Sequence, residues 1–340
     1  MFPKMKKKTR RLLVTAVLVL TLVFLSLNAL AYMHAYSMTH FSSDGPRTGA
    51  PETLSLGERI AVLLTGVRVP RPRSRVSLAD IEPRYTTVVI PSSEAITLSG
   101  WYAGNGHGAP LVILFHGYAA EKSAMLKEAS AFHERGCSVL LVDFRGSGES
   151  SESYTTVGFL ESEDVEAAVR YAKDNLPSSR LVLFGQSMGA AAVLRAVHES
   201  KIKPDAIIVE STFDRLLNAI RSRFLMIGVP PFPSAELIAF WGGLQAGFNG
   251  FAHNPATYAR SVSCPILFLH GTDDRKANID KGRLVFNAVH AKKYFVEFEG
   301  AGHESLIAYD RDKWKAAINE FMQSLSVTSD TTHNRQALQY

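Results

Sequence analysis

The pentapeptide Gly185-Gln186-Ser187-Met188-Gly189 lies between the strand-like run 180–184 and the helix-forming Ala190-Ala191-Ala192. A serine on a sharp strand-to-helix turn needs small neighbours on both sides, because its backbone is strained and crowded by adjacent chain. The turn lifts the hydroxyl above the sheet, and the N-terminus of the following helix favours negative charge developing there. Gly and Ser are common in turns, so the pentapeptide alone says little. The strand behind it and the helix ahead make Ser187 a candidate nucleophile for an acyl carbon.

A serine hydroxyl is inert near neutral pH unless a base removes its proton. Gly300-Ala301-Gly302-His303-Glu304 follows the run 294–298, placing an imidazole in a glycine loop beyond the carboxyl end of a strand. That is the side on which open α/β sheets bind ligands. Of the eleven histidines, His303 is therefore the best base; His290 closes a helix, and His34, His40 and His333 lie outside the core region. An acid should orient this imidazole and support its positive charge. The run 267–271 ends in a turn with two adjacent aspartates, Asp273 and Asp274, and spacing alone does not choose between them. The order serine, acid, histidine suits a strand-turn-helix nucleophile. Oxyanion stabilisation requires backbone N–H donors. Met188 supplies one, and the loop His116-Gly117-Tyr118 after the run 111–115 supplies the other, with Tyr118 the preferred donor. His116 directly follows a buried strand, which suits a loop-ordering role.

The elements that must position these groups follow from periodicity. Apolar runs at 111–115, 138–142, 180–184, 206–209, 266–269 and 294–298 alternate with helical stretches centred on 123–134, 161–174, 188–199, 277–289 and 310–324. Continuous apolar strands with helices between them predict a mostly parallel sheet covered on both faces. Runs 85–90 and 95–103, separated by Pro91-Ser92-Ser93-Glu94, read as an antiparallel hairpin or meander.

Taken together, these residues resemble the α/β-hydrolase superfamily, and within it the serine aminopeptidase-like and BEM46-like group (Hydrolase_4). Besides the serine turn, the resemblance rests on Phe115-His116-Gly117, Asp143-Phe144-Arg145-Gly146-Ser147-Gly148-Glu149-Ser150, Glu210-Ser211-Thr212-Phe213, the stretch from Cys264-Pro265 to Gly271-Thr272, and Gly302-His303. It covers about residues 85–325. The resemblance implies an eight-stranded sheet and the triad Ser187, Asp274 and His303, because the family's acid stands three residues after the Gly of its His-Gly pair. Arg275-Lys276-Ala277-Asn278 departs from the Val-Val-Pro that often follows the acid in the family, which leaves Asp273 in play. The family's sheet order would separate Cys137 from Cys264, so two free thiols are expected. A small helical cap is expected at about 214–260, where Phe232, Ile238, Phe240, Trp241, Leu244 and Phe248 either pack it onto the sheet or form an acyl-binding wall or membrane-facing lid.

Hydrophobic content of 46% and charged content of 20% suit a globular protein and exclude wholesale disorder. The net charge of +5 is more than accounted for by Lys4, Lys6, Lys7, Lys8, Arg10 and Arg11, so the remainder offers no nucleic-acid-binding face. Residues 12–33 carry no charge and are rich in Leu, Val and Ala, long enough as a helix to cross a hydrocarbon core of roughly 30 Å. The stretch exceeds the usual signal-peptide h-region, which favours an uncleaved signal anchor; cleavage after Ala31, in the small-x-small Ala29-Leu30-Ala31, would instead give a secreted protein.

The expected organisation is a basic cytoplasmic segment 1–11, a transmembrane anchor 12–33, a juxtamembrane linker 34–83, a catalytic domain 84–326 and a flexible tail 327–340. The basic cluster stays cytoplasmic, which places the catalytic domain across the membrane, periplasmic in a bacterium. A capping box at Ser55 and Glu58 opens a short linker helix, expected to dock on the catalytic domain rather than on the bilayer, since its exposed face is not Lys-rich. The function expected is hydrolysis of small-molecule or lipid-like carboxylic esters, with no metal or organic cofactor. A peptidase, thioesterase or lysophospholipase would use the same triad, and a non-catalytic binding protein on this fold is the reading from another class.

Overall fold

Strands β3 (Leu111–Phe115), β4 (Ser138–Val142), β6 (Ala206–Glu210) and β7 (Ile266–Gly271) are buried at every residue, so none shows polar alternation. β5 (Leu181–Gln186) is buried up to its last residue. The computed structural model describes residues 7–49, 53–74, 76–81 and 84–336. With β1 (Thr86–Pro91), β2 (Thr97–Ala103) and β8 (Lys293–Phe298) these strands form one eight-stranded sheet in the order β1-β2-β4-β3-β5-β6-β7-β8. The pairs β1·β2 and β2·β4 are antiparallel and the rest parallel, so the expected mostly parallel sheet with a leading hairpin is present.

Each face of the sheet has its own core. Ile113 and Phe115 pack with Val165 and Ala168 of α4 (Glu161–Asn175), Val193 of α5 (Met188–Glu199) and Val285 of α9 (Ile279–Ala288). The alternate residues Val112 and Leu114 face Phe132 of α3 (Leu126–Glu134) and Trp314 and Ile318 of α11 (Arg311–Gln336). A period of two along a strand thus feeds two apolar layers, which is why these runs are apolar throughout. α11 contains no Gly or Pro, and its backbone stays helical to Gln336, beyond the catalytic-domain boundary expected at 326. Residues 337–340 of the expected flexible tail, and Lys4 and Lys6 of the basic segment, lie outside the described residues.

The N-terminal helix α1 (Lys7–Thr39) is apolar enough over 18 residues or more to cross a membrane, and residues 7–26 are exposed. It does not stop at 33. The stretch His34 to Thr39 has no helix breaker, and from Asn28 onward the helix docks on α7 (Ser234–Gln245). Ala31 and Ala35 are buried with Leu216 and Ile220 of α6 (Leu216–Met226) and Ile238 of α7. Trp241 donates to Asn28 Oδ1 at 3.2 Å, and Gln245 donates to the Tyr32 carbonyl at 2.9 Å. α2 (Leu56–Thr65) has the capping box, but it meets the rest of the protein along an edge at α1 and buries none of its residues. Leu56, Ile60 and Leu64 point to the outside, while Val62 and Leu63 border a cavity shared with Ile220 and Phe224 of α6, so the expected docking on the domain is loose. The apolar cap residues divide: Ile238 is buried and Phe248 stacks on Phe159, whereas Phe232, Phe240 and Leu244 are exposed.

Cys137 precedes β4 and Cys264 precedes β7, with β3, β5 and β6 between those two strands. Four inter-strand steps of about 4.8 Å separate them by roughly 19 Å, against the roughly 7 Å limit between Cα atoms for a disulfide. Titration with a thiol reagent under denaturing, non-reducing conditions should find two free thiols per chain; finding none would contradict this sheet order.

Candidate active site

Ser187 is forced into a conformation rare for a residue with a Cβ, φ 51° and ψ −107°, between the end of β5 and the first turn of α5. The flanking glycines are required by space. A Cβ on Gly185 would stand 2.6 Å from Ala190 N, and one on Gly189 would stand 2.3 Å from the Phe115 carbonyl of β3. The Ser187 N–H donates to the Glu210 carbonyl at 2.7 Å, which fastens the turn to β6.

Ser187 Oγ lies 3.0 Å from His303 Nε2, and His303 Nδ1 lies 2.6 Å from Asp274 Oδ2. The second Asp274 oxygen accepts from the N–H groups of Lys276 at 2.9 Å and Ala277 at 2.8 Å. Burial alone would raise the Asp274 pKa, but the hydrogen bond and charge of His303 and the Ala277 N–H outweigh it and hold the carboxyl below its ordinary value. Asp273 is exposed, and its carboxylate accepts from Thr272 Oγ1 rather than from an imidazole. Of the two aspartates, the structure brings only Asp274 to the histidine. His270 is buried beside it, its Nε2 2.6 Å from the Ala277 carbonyl, and burial lowers its pKa, so the ring is neutral and braces the aspartate loop.

Tyr118 and Met188 both border the cavity above Ser187. Among the described residues neither of their N–H groups has a hydrogen-bond partner. His116 holds this loop from below: Nδ1 lies 2.8 Å from the Gly117 carbonyl, and Nε2 accepts from the Phe144 N–H at 3.2 Å. Burial lowers its pKa, in keeping with a neutral ring used for bracing. The Tyr118 hydroxyl donates to the Met38 carbonyl of α1 at 2.5 Å, and burial pushes its pKa up to about 12, so the phenol stays a donor.

Three features of the site were not evident from the motifs. The first is Glu210, fully buried at the end of β6. One of its oxygens accepts from Gln186 at 3.0 Å and from the Leu306 N–H at 3.1 Å, and the other accepts from Trp314 Nε1 at 3.1 Å. Glu210 therefore ties the serine turn to the segment just after His303. Burial, and then the nearby Glu128 carboxylate, raise its pKa to about 8. Glu128 is raised by burial as well and accepts from Ser305 at 2.6 Å. The only sequence signal was the Glu of Glu210-Ser211-Thr212-Phe213, and two of its three partners, Leu306 and Trp314, lie about a hundred residues away.

The second is the frame built by 143–150. Buried Lys122 Nζ meets Asp143 Oδ2 at 2.5 Å, and Arg145 Nη2 meets Asp164 Oδ1 at 2.7 Å. The third is Met38, which the chain brings to the cavity from the far end of α1.

The sequence model of the family described as "Serine aminopeptidase, S33" matches residues 106–230. The uncharacterized protein YqkD of Bacillus subtilis is 24% identical over 72% of this chain and 81% of its own length. The rat protein named lysophosphatidylserine lipase ABHD12 is 24% identical over 56% of this chain and 48% of its own. Among solved structures, the Pyrococcus furiosus esterase Pf2001 superposes with a TM-score of 0.64 at 26% identity, covering 75% of this chain and 96% of that one. A fold shared with that esterase, and a family match that spans the serine turn, place the chain in the α/β-hydrolase superfamily, and over residues 106–230 it is similar to the serine aminopeptidase S33 family.

Proposed function

We propose that the chain is a membrane-anchored serine hydrolase that cleaves carboxylic esters, with Ser187 as nucleophile, His303 as general base and Asp274 as the orienting acid. The observation that carries this reading is the unbroken relay from Ser187 Oγ through His303 to Asp274, at 3.0 and 2.6 Å, beneath a strained turn. His303 Nε2 takes the serine proton as Oγ attacks the acyl carbon. The Tyr118 and Met188 N–H groups receive the oxyanion, which a low-dielectric cavity makes effective. His303 then protonates the departing alcohol, and water activated by the same nitrogen releases the acid. Each step uses side chains and backbone of this chain alone.

Ester and lipid substrates are suggested by relatives named an esterase and a lysophosphatidylserine lipase. The cavity over Ser187 is bordered chiefly by apolar side chains, among them Val157, Phe213, Leu216 and Ile220, which suits an acyl chain better than a peptide. α6 and α7 serve as the cap. Anchoring through α1 is favoured over removal of a signal peptide because Ala31 is only 5% exposed, packed against the cap, and cleavage there would strip Asn28 from Trp241. With the basic end cytoplasmic, the catalytic domain stands on the opposite side of the membrane.

Ser187→Ala should lower turnover of p-nitrophenyl acyl esters by at least about 10⁴-fold and abolish fluorophosphonate labelling; persistent labelling would move the nucleophile elsewhere. Asp274→Asn should lower kcat by roughly 10³–10⁴-fold, since the histidine loses its orienting partner, whereas Asp273→Asn should stay near wild type. The reverse ranking would reassign the acid. Glu210 has a folded pKa above its ordinary value, so its contribution to stability is complete below about pH 4.5 and is lost as pH rises through about 8. Thermal melts should therefore show Tm falling across this interval, and Glu210→Gln should flatten that slope. An unchanged slope in the variant would remove Glu210 as its cause.

A further inference from the structure

Arg223 stands in the last turn of α6, beside the proposed triad. Its Nη1 donates to the Ala219 carbonyl at 2.8 Å and to the Lys276 carbonyl at 3.1 Å. Among the described residues no carboxylate comes within ion-pair distance of it, and Nε and Nη2 have no partner. The nearest acid that acts on it is Asp274, whose oxygens are already taken by His303, Lys276 N and Ala277 N. Desolvation lowers the pKa of the guanidinium, so the charge is kept in surroundings that disfavour it. Among the described residues, the cavity over Ser187 is bordered by Arg223 and Lys276 and by no acid, its other walls being mainly apolar. Arg47 adds a third cation outside this cavity, where its Nη1 donates to the Ala119 carbonyl, next to Tyr118, at 3.4 Å. A second, almost wholly apolar cavity of about 130 Å³ under α2 and α6 shares Met38, Ile220 and Arg223 with the first.

A half-buried guanidinium with no carboxylate beside it, set in a mainly apolar wall, leaves its charge to be met by a ligand. Arg presents a planar fork that matches phosphate or carboxylate oxygens, and two backbone carbonyls already fix one of its nitrogens. We propose that Arg223, assisted by Lys276, receives an anionic group, phosphate or carboxylate, carried by the substrate a few atoms from its scissile ester. The acyl chain then lies along Met38 and Ile220 in the apolar cavity. The substrate is an anionic amphiphile. This inference rests on the ester-hydrolase reading and adds to it a substrate class and a specificity residue.

The test uses the full chain in lipid nanodiscs and three esters of one acyl chain: oleoyl glycerol phosphate, oleoyl lactate and uncharged oleoyl glycerol. Wild type should prefer one or both anionic esters in kcat/KM, and the preferred one identifies phosphate or carboxylate. Arg223→Gln should reduce that preference about 10- to 100-fold, chiefly through KM, the range expected for a lost charge-assisted contact. Arg223→Lys should restore part of it, and Arg260→Gln, an exposed cation elsewhere, should keep the wild-type ratio. Equal losses on all three esters would reduce Arg223 to a structural tie between α6 and the aspartate loop, and an unchanged ratio would refute the site. Binding to the Ser187→Ala protein separates the two readings. If anionic esters bind there in an Arg223-dependent way but wild type cleaves none, the hydrolase reading fails and the anion site stands. If wild type cleaves all three without preference, the anion site fails and the hydrolase reading stands.

Discussion

The strained backbone at Ser187 is the constraint on which the rest depends. A residue with a Cβ at φ 51° and ψ −107° costs on the order of 1–3 kcal/mol and persists only where its surroundings fix it. Here they do so from every side. α5 is buried at almost every residue from Met188 to Val197, so the helix cannot swing to relax the turn. Gly185 and Gly189 admit the backbone of α5 and β3 to contacts that any side chain would prevent. The N–H of Ser187 is bonded across to β6. The strain sets the hydroxyl above the carboxyl ends of the parallel strands, so every other group in the site must come from a loop at that edge.

Those loops are held by buried polar groups rather than by apolar packing. Glu210 bridges the serine turn and the segment after His303, and Glu128 reaches the same segment through Ser305. Asp143 and Lys122, and Arg145 and Asp164, close the other side. Arg71, from the segment between α2 and β1, donates to the carbonyls of Gly148, Ser150 and Glu152 and so joins that frame. A buried charge left alone would be strongly destabilising: Asp143 and Asp164 are paired with Lys122 and Arg145, whereas burial raises the pKa of Glu210 and Glu128 and so favours their neutral forms. Such pairs give the loops one arrangement where apolar contacts would allow several.

How much of this was legible in sequence follows from the range of each interaction. The β3, β4 and β7 runs announce themselves because burial on both faces makes them almost wholly apolar, with polar residues only at their ends, Ser138 in β4 and His270 in β7. The serine turn is legible because steric crowding permits only glycine on either side. His303 and the aspartate pair could be placed by the loops that follow their strands; spacing left Asp273 and Asp274 open, the family resemblance favoured Asp274, and the geometry agrees, since only its side chain meets the imidazole. Glu210 could not be read as a hub, since its partners Gln186, Leu306 and Trp314 meet only in three dimensions. That α1 runs on past its apolar stretch was hidden for a related reason. Its apolar character stops near Met33, but helix continuation to Thr39 depends on a docking partner, α7, that lies some two hundred residues further along.

That docking changes what the N-terminal helix is for. The last carbonyls of any helix lack partners within it. The rest of the protein bonds three carbonyls of α1, Tyr32 through Gln245, Met38 through the Tyr118 hydroxyl and Thr39 through the Thr155 N–H at 2.8 Å, the latter two being among these end carbonyls. The middle one of these bonds comes from the residue whose own N–H faces the cavity over Ser187. A displacement of the helix end would pull on the loop that carries that N–H, and the wall formed by Met38 would move with it. A simple tether would be joined to the body by solvated linker and could be lost without consequence for the site. Here the exposed apolar helix, the cap and the loop beside Ser187 are one hydrogen-bonded unit, so the position of the helix and the shape of the cavity are set together.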